Sequence, residues 1–151
     1  MKIEEFLRKE KIPYTKTHHP EAFTAQEVAA TAHVPGRMMV KVVVVKAGAD
    51  YCLAVCPATH RVNLDHLSEV VGKAVRLANE GEMEEVLKDV DVGAEPPLGA
   101  IFGLKTYVDK SLAQNQEIVF QAGTHTDTIR ISYADFEKIA KPTAGSFADH
   151  L

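Results

Sequence analysis

The apolar positions of this chain are densest in residues 38–45, where Lys41 is the single polar side chain. Such a run predicts a strand that is buried on both faces. The turn signal Gly48-Ala49-Asp50 follows, and the largely apolar residues 51–55 predict the returning strand of a hairpin. The pattern therefore predicts an antiparallel hairpin with a lysine inside its first strand.

Helical spacing, capping signals and short apolar runs predict further elements around this hairpin. Helices are predicted to begin near Ile3, Thr24, Leu64, Met83 and Ser132, and strands to cover residues 14–17, 74–77, 107–108, 118–120 and 128–131. Thr24 and Glu27 form a capping-box pattern, with Phe23 and Val28 placed as its hydrophobic staple. Because helices and strands mix without a regular βαβ rhythm, we expect a single compact α+β domain over residues 1–151. Its sheet should be mixed, largely antiparallel and flanked by helices, and the polar residues 143–151 should form a loose tail.

Composition and charge limit the kind of partner. Hydrophobic residues make up 46% and charged residues 25%, which is typical of a soluble globular protein. A net charge of −4 excludes a global basic field, so any nucleic-acid contact must be local. The start of the chain lacks a signal-peptide pattern, and no apolar run is long enough to span a bilayer. We therefore expect a cytoplasmic protein with no DNA or membrane partner.

Lys41 is the first candidate functional residue. On an alternating strand it shares one face with Met39, Val43 and Val45, and the other face is also apolar. An ammonium group there is costly unless it is paired or lines a cavity that a charged ligand enters. A lysine that extends its head group to water from near the strand end explains the same pattern, and both interpretations remain open at this point.

The loop of residues 93–99, Gly-Ala-Glu-Pro-Pro-Leu-Gly, is the second candidate. Two prolines fix its backbone, and Gly93 and Gly99 allow close approach of another group. Such a loop can direct backbone N–H groups at a carbonyl or a developing oxyanion, although it can also be a rigid connector. If it acts through its backbone, Gly99→Val should impair turnover and Glu95→Ala should matter little.

Other catalytic chemistries find no support in the sequence. The seven histidines lack a metal-binding spacing, and no nucleophile elbow or dinucleotide-binding glycine pattern occurs. Cys52 and Cys56 lie about 13 Å apart if they share a strand, too far for a disulfide, and are expected to be reduced. The acidic residues between Glu80 and Glu85 are expected to form a solvated helix face. His125, beside Gly123 in a loop between two strands, is the one histidine that is well placed for a ligand.

Three features occur here in a known order and spacing: Lys41 in its valine-rich strand, the 93–99 loop and the segment Phe120-Gln121-Ala122-Gly123. From about His19-Pro20 to the helix near residues 133–139, the chain resembles the YbaK and prolyl-tRNA-synthetase-associated (ProX-like) editing domains. The resemblance implies a compact α+β domain that hydrolyses mischarged aminoacyl-tRNA. It also implies that no metal, cofactor or protein nucleophile is needed, because water attacks an ester held by backbone amides and the lysine.

The resemblance also implies a set of site residues. Lys41, Gly93 and Gly99 would be catalytic, and the substrate-binding residues would be His19, Met39, Val43, Pro96, Pro97, Phe120, Gly123 and His125. Lys41 would face the pocket for the 3′-terminal adenosine and bind its phosphate or carbonyl. The bulky residues Met39, Val43, Phe120 and His125 would narrow the pocket, so the expected partner is a tRNA 3′ end that carries a small amino acid.

The chain departs from this family in two places. Val42 stands where many members that act on proline tRNA have Thr or Asn, and Thr128 falls where the cysteine-specific branch has an acidic residue. The identity of the amino acid, and whether a tRNA synthetase takes part, therefore do not follow from the resemblance. Two other functions remain open: a non-catalytic module that binds tRNA ends or nucleotides or docks on a synthetase, and a small-metabolite binder in which Lys41 is structural.

Overall fold

The computed structural model describes residues 2–151, which form five α-helices and ten β-strands. The helices are α1 (Lys2–Lys9), α2 (Ala25–Thr31), α3 (Leu64–Val71), α4 (Glu80–Val86) and α5 (Tyr133–Ala140). The strands are β1 (Thr15–His18), β2 (Val40–Ala47), β3 (Asp50–Pro57), β4 (His60–Val62), β5 (Val75–Leu77), β6 (Lys105–Asp109), β7 (Glu117–Gln121), β8 (Asp127–Ser132), β9 (Thr143–Gly145) and β10 (Ala148–His150). Every predicted helix and strand is present, which confirms the α+β fold class.

The strands form three sheets. The largest has the order β5-β2-β3-β6-β9, antiparallel among β5, β2 and β3 and parallel from β3 through β6 to β9. A second, antiparallel sheet has the order β1-β8-β7, and β10 pairs with β4 in a third. A bridge between Met39 and Val119 joins the first two sheets at the start of β2.

Hydrophobic burial holds these layers together through three clusters. The first fills the space among the two larger sheets, α1 and α5, and includes fully buried Leu53 and Phe120. The second lies beneath α2 and includes Met39 and Ala58. The third packs α3 and Phe147 on the opposite face of β2, β3 and β6. Each large apolar side chain buried in this way contributes about 1.5–3 kcal/mol.

The segment 143–151, which was expected to be a loose tail, is instead part of the fold. Strand β9 extends the large sheet beside β6, and β10 pairs with β4. The buried carboxylate of Asp109 accepts hydrogen bonds from the backbone N–H groups of Phe147 and Ala148, both at 2.8 Å. Phe147, only 1% exposed, anchors the segment in the third cluster.

The acidic stretch in α4 is not uniformly solvated, because Glu82 sits at the centre of a polar cluster. Its carboxylate receives a bidentate pair from Arg76, with both N···O distances 2.8 Å, and a hydrogen bond of 2.7 Å from the Tyr51 hydroxyl. Lys46 Nζ lies 3.8 Å from the same carboxylate and 5.3 Å from the centre of the Tyr51 ring. We call Glu82, Arg76, Tyr51 and Lys46 the Glu82 cluster.

Candidate active site

A surface cleft of about 390 Å³ opens between the start of α2 and the start of β2. Its lining residues are Phe23, Thr24, Ala25, Gln26, Lys41, Val42, Ala58, Gly93 and Gln121. We call it the Lys41 cleft. It brings together the valine-rich strand, the 93–99 loop and the end of β7, the three regions that carried the resemblance.

The cleft exists because one edge of β2 is left open. Strand β3 pairs with β2 along residues 40–47, whereas β5 covers only Val45–Ala47 on the other side. The Met39 carbonyl accepts from Ala58 on the β3 side, and the Val44 carbonyl accepts from Ala78 on the β5 side. Because backbone groups alternate in direction along an antiparallel strand, Val42 turns its N–H and C=O toward the open edge.

Lys41 is half-buried beside this edge, and among the described residues it takes part in no ion pair. Its Nζ donates one hydrogen bond of 3.3 Å to the carbonyl of His60, so two of its three donors remain for a ligand. Cys56 is opposite Lys41 in the hairpin, but burial raises the pKa of the Cys56 thiol to about 12. The thiol is therefore protonated at neutral pH and does not act as a counter-ion.

Gln121 provides an acceptor in the cleft wall. The residue is 6% exposed, and its Nε2 donates to the Gly93 carbonyl at 3.2 Å. Its Oε1 is buried and has no partner within residues 2–151. Buried side-chain oxygens are nearly always paired, so this one is a marker for a ligand group that donates a hydrogen bond.

Three backbone N–H groups of the 93–99 loop donate within the protein. Gly93 N–H donates to the Glu95 carboxylate at 2.8 Å, Ala94 N–H to the Asp91 carbonyl at 2.9 Å, and Gly99 N–H to Thr106 Oγ1 at 3.1 Å. Burial raises the pKa of Glu95, and the N–H groups it accepts from act in the opposite direction. Glu95→Ala was expected to matter little for turnover, and that prediction stays open; the structure adds that Glu95 and Gln121 both hydrogen-bond the backbone of Gly93.

Gly99 and Gly123 have structural reasons to be glycine. A Cβ atom added at Gly99 would collide with the Leu104 carbonyl oxygen and the Thr106 hydroxyl. Gly123 has φ of +88°, accepts a hydrogen bond from Asp91 N–H at 2.8 Å and donates one to the Ala94 carbonyl at 2.9 Å. Gly123 thus fastens the loop to the β7–β8 connection, and neither glycine lines the cleft.

Of the two histidines expected in the site, His125 lies beside the cleft lining and His19 is buried within the fold. The ring of His125 contacts the exposed ring of Phe23, with centroids 4.7 Å apart, and His125 Cε1 lies 3.6 Å from a Cβ built on Gly93. His19 is buried, and its Nδ1 hydrogen-bonds the Pro20 carbonyl at 2.8 Å. His19 Nε2 and His125 Nδ1 are both buried without a partner in the described chain.

The remaining expected site residues lie elsewhere. Met39 packs in the second cluster, Val43 in the third and Phe120 in the first, while Pro96 and Pro97 are buried within their loop. The structure therefore places Lys41 and Gly93 in the cleft lining and His125 at its wall.

Sequence reasoning missed Phe23, Gln26 and Gln121 as lining residues. Phe23 was expected to pack as a hydrophobic staple but is 56% exposed at the cleft. The only sequence signal for Phe23 was a large apolar side chain directly before a capping box. That signal fits both a hydrophobic staple and a residue that lines a cleft. Within residues 2–151 no group of three metal-binding side chains lies together, and no helix is long and apolar enough to cross a membrane.

Residues 19–139 match the family model described as the aminoacyl-tRNA editing domain, a range that contains every residue lining the Lys41 cleft. The chain belongs to the aminoacyl-tRNA editing domain family. This editing domain is 24% identical over 144 residues to the prolyl-tRNA editing protein ProX of Acetoanaerobium sticklandii, covering 91% of this chain and 87% of that protein.

Solved structures agree on the fold. The editing domain matches the crystal structure of a hypothetical protein with a TM-score of 0.89 at 22% identity, covering 99% of this chain and 100% of the other. It matches a putative trans-editing enzyme for prolyl tRNA synthetase with a TM-score of 0.85 at 20% identity, covering 98% and 95% of the two chains. These similarities confirm the expected family and fold, and the family supports aminoacyl-tRNA editing as the general function.

Proposed function

We propose that this protein is a trans-acting deacylase that hydrolyses the ester of a tRNA mischarged with a small amino acid. The observation that carries the proposal is Lys41, a half-buried ammonium group with no ion-pair partner in the described chain, beside the open edge of β2. Membership of the editing family supports the reaction class.

In the proposed reaction, the Lys41 ammonium and the Val42 N–H bind the carbonyl oxygen of the ester. Both groups stabilise the negative charge that develops on this oxygen when water attacks the carbonyl carbon. The new bond joins the water oxygen to that carbon, the bond to the ribose oxygen breaks, and the ribose oxygen takes up a proton. The 93–99 loop was expected to supply the amide that binds the oxyanion. We assign this role to the Val42 N–H instead, because the N–H groups of Gly93 and Gly99 donate within the protein.

Gln121 is proposed to orient the amino acid. Every aminoacyl ester carries an α-ammonium group, and the unpaired Gln121 Oε1 is an acceptor for it. The hydrogen bond from Gln121 Nε2 to the Gly93 carbonyl fixes the orientation of this amide.

The dimensions of the cleft favour a small amino acid. Its volume of about 390 Å³ is near the lower end of the range of about 300–1,000 Å³ for ligand pockets. The rings of Phe23 and His125, which are in tilted contact, narrow it in place of Met39, Val43 and Phe120. We expect hydrolysis of alanyl esters with overlap toward seryl, cysteinyl and threonyl esters, and little action on prolyl esters.

The test is a deacylation screen with tRNA charged separately with Ala, Ser, Cys, Thr and Pro. Val42→Pro removes the proposed N–H donor, and proline is tolerated at a strand edge that pairs with no neighbour. Loss of one such donor lowers turnover by about 10²–10³-fold, whereas the control Val42→Ala keeps the N–H and should remain active. If none of the five esters is hydrolysed, the proposed function is wrong.

The internal use of the loop amides favours one alternative, a non-catalytic module that binds tRNA ends. Such a module would need Lys41 and Gln121 for affinity but no oxyanion donor. It would bind uncharged tRNA, lose binding in Lys41→Met, and leave every ester in the screen intact.

A further inference from the structure

A second cleft of about 490 Å³ lies next to the Lys41 cleft. Its lining residues are Arg37, Pro57, Thr59, His60, Ser111, Gln114, Asn115 and His150. We call it the Arg37 cleft. Nothing in the proposed reaction uses it.

The lining of the Arg37 cleft suits an anion. No carboxylate is among its lining residues, and the groups left for a ligand include the Arg37 guanidinium, the Gln114 amide and the two imidazoles. The Ser111 hydroxyl and the Asn115 amide group already donate within the protein, to Asp109 and to the carbonyls of Arg37 and Leu112. Asp109, next to Ser111 in the chain, is already occupied, because Ser111, Phe147 and Ala148 all donate to its carboxylate. A phosphate group entering the cleft would meet donors and positive charge without an unbalanced acidic neighbour.

The histidine pair is assembled by the fold. Strands β4 and β10 place His60 opposite His150, with ring centroids 4.8 Å apart. Nδ1 of His60 is engaged by the Thr59 hydroxyl at 2.8 Å, and Nδ1 of His150 by the Leu151 carbonyl at 2.9 Å. Each ring keeps its Nε2 as a second hydrogen-bonding position.

The two clefts share one wall. Between the end of β3 and the start of β4, Ala58 lines the Lys41 cleft, while Pro57, Thr59 and His60 line the Arg37 cleft. Lys41 Nζ donates to the His60 carbonyl, so the ammonium group lies at the boundary. Arg37 and Lys41 are four residues apart, which limits their Cα separation to about 14 Å.

We infer that the Arg37 cleft binds the phosphodiester groups that precede the terminal adenosine of the tRNA 3′ end, while the Lys41 cleft holds the ester. The inference rests on the proposed function and adds a recognition site for the single strand. A cationic groove that follows the backbone is the usual means of holding a single strand. Arg37 is the principal contact, because a guanidinium binds phosphate with two parallel hydrogen bonds.

The test compares two substrates that differ in phosphates. Alanyl-adenosine has no phosphodiester, whereas the alanylated ribotrinucleotide CCA has two. Arg37→Ala should raise KM for the alanylated trinucleotide about tenfold and leave kinetics on alanyl-adenosine unchanged. Arg61→Ala is the matched control, because Arg61 is an exposed arginine of β4 outside both cleft linings and its loss removes the same charge.

Direct binding of uncharged CCA gives a readout that needs no catalysis. Arg37→Ala should weaken binding about tenfold and reduce the slope of log affinity against log salt concentration by about one. Equal binding by Arg37→Ala and wild type, or an equal effect on both substrates, overturns the inference. Inorganic phosphate that binds as tightly as CCA and displaces it also overturns it, since the cleft would then take a free anion. If wild type binds CCA through Arg37 yet hydrolyses neither substrate, the deacylase proposal fails while the strand-binding site stands.

Discussion

The Lys41 cleft and the Glu82 cluster give two lysines of the same strand opposite surroundings. Lys46, five residues after Lys41 in β2, meets the Glu82 carboxylate and the Tyr51 ring. Lys41 meets only a backbone carbonyl, and the nearby Gln121 Oε1 has no partner in the described chain. In the Glu82 cluster the polar groups pair with each other. In the Lys41 cleft the Lys41 ammonium and Gln121 Oε1 keep unused hydrogen-bonding capacity.

We propose that this difference separates a structural lysine, Lys46, from a functional one, Lys41. A paired charge contributes to folding through its partner, whereas a half-buried charge without an acidic partner adds little to stability. We propose that Lys41 contributes to ligand binding instead. The predictions below test that distinction, beginning with the largest expected effect.

Lys41→Met and Lys46→Met form a matched pair, because each keeps an unbranched side chain and removes one charge. Lys41→Met should lower kcat/KM for alanyl-tRNA at least tenfold, since a charge-assisted hydrogen bond contributes about 1.5–3 kcal/mol. Lys46→Met should leave kcat/KM within about twofold of wild type. Steady-state deacylation measures both, and thermal melting should show Lys41→Met folded with little change in Tm. Equal activities in the two variants would remove the distinction between the lysines.

Glu95→Ala tests whether the loop depends on its buried carboxylate. The substitution leaves Gly93 N–H without its acceptor, and an unpaired buried group costs about 1–3 kcal/mol. We expect a lower Tm and a fall of several-fold in kcat/KM, because the Gly93 wall of the cleft is no longer fixed. Glu95→Gln retains a side-chain oxygen for Gly93 and should be milder in both measurements. An Ala variant as stable and active as wild type would show that the loop holds its shape without Glu95.

Phe23→Ala tests whether the Phe23 ring limits the size of the amino acid that the cleft accepts. Removing this exposed ring widens the Lys41 cleft and also frees His125. The kcat/KM for a larger ester such as valyl-tRNA should rise about tenfold relative to alanyl-tRNA, since steric fit contributes about 1–3 kcal/mol per methylene. Tm should change little. An unaltered ratio of the two esters would mean that Phe23 does not set the size limit.

Glu82→Gln should have the smallest effect on activity and a pH-dependent effect on stability. Hydrogen bonds from Arg76, the Asn79 backbone and Tyr51 hold the pKa of Glu82 well below its usual range. A carboxyl with a lowered pKa stabilises the fold fully above about pH 5. This contribution begins to fall below the unfolded pKa of about 4.3 and is lost completely only when the pH falls through the folded pKa. The Tm difference between wild type and Glu82→Gln should therefore be largest near neutral pH and shrink toward pH 3. A difference that grows on acidification would contradict this assignment.

Local patterns in the sequence accounted for most of the fold. The valine-rich run, the capping box at Thr24 and the cap at Ser132 each predict an element from a few neighbouring residues, and each element is present. Strands β9 and β10 escaped prediction because their residues do not alternate between apolar and polar. They are held by distant partners, β6 and β4, and by Asp109.

The site was predictable only in part, for a geometric reason. Alternation along β2 tells which side chains share a face, and this led to Met39 and Val43 as neighbours of the ligand. The cleft instead opens along the edge of the strand, where consecutive residues Lys41 and Val42 both take part. Which edge of a strand stays unpaired depends on the whole sheet, and here on the short β5, so no pattern within β2 reveals it.

The fastening of the 93–99 loop to Gly123 has a consequence for motion. Amides that are hydrogen-bonded within a packed unit exchange their hydrogens only when that unit opens. The amides of Asp91, Gly93, Ala94 and Gly123 should therefore exchange slowly and together, although the segment has no regular secondary structure around Gly93. Phe23, Thr24 and Gln26 form an exposed wall on the other side of the cleft. Fast fluctuations in the width of the cleft should therefore come from movement of that wall.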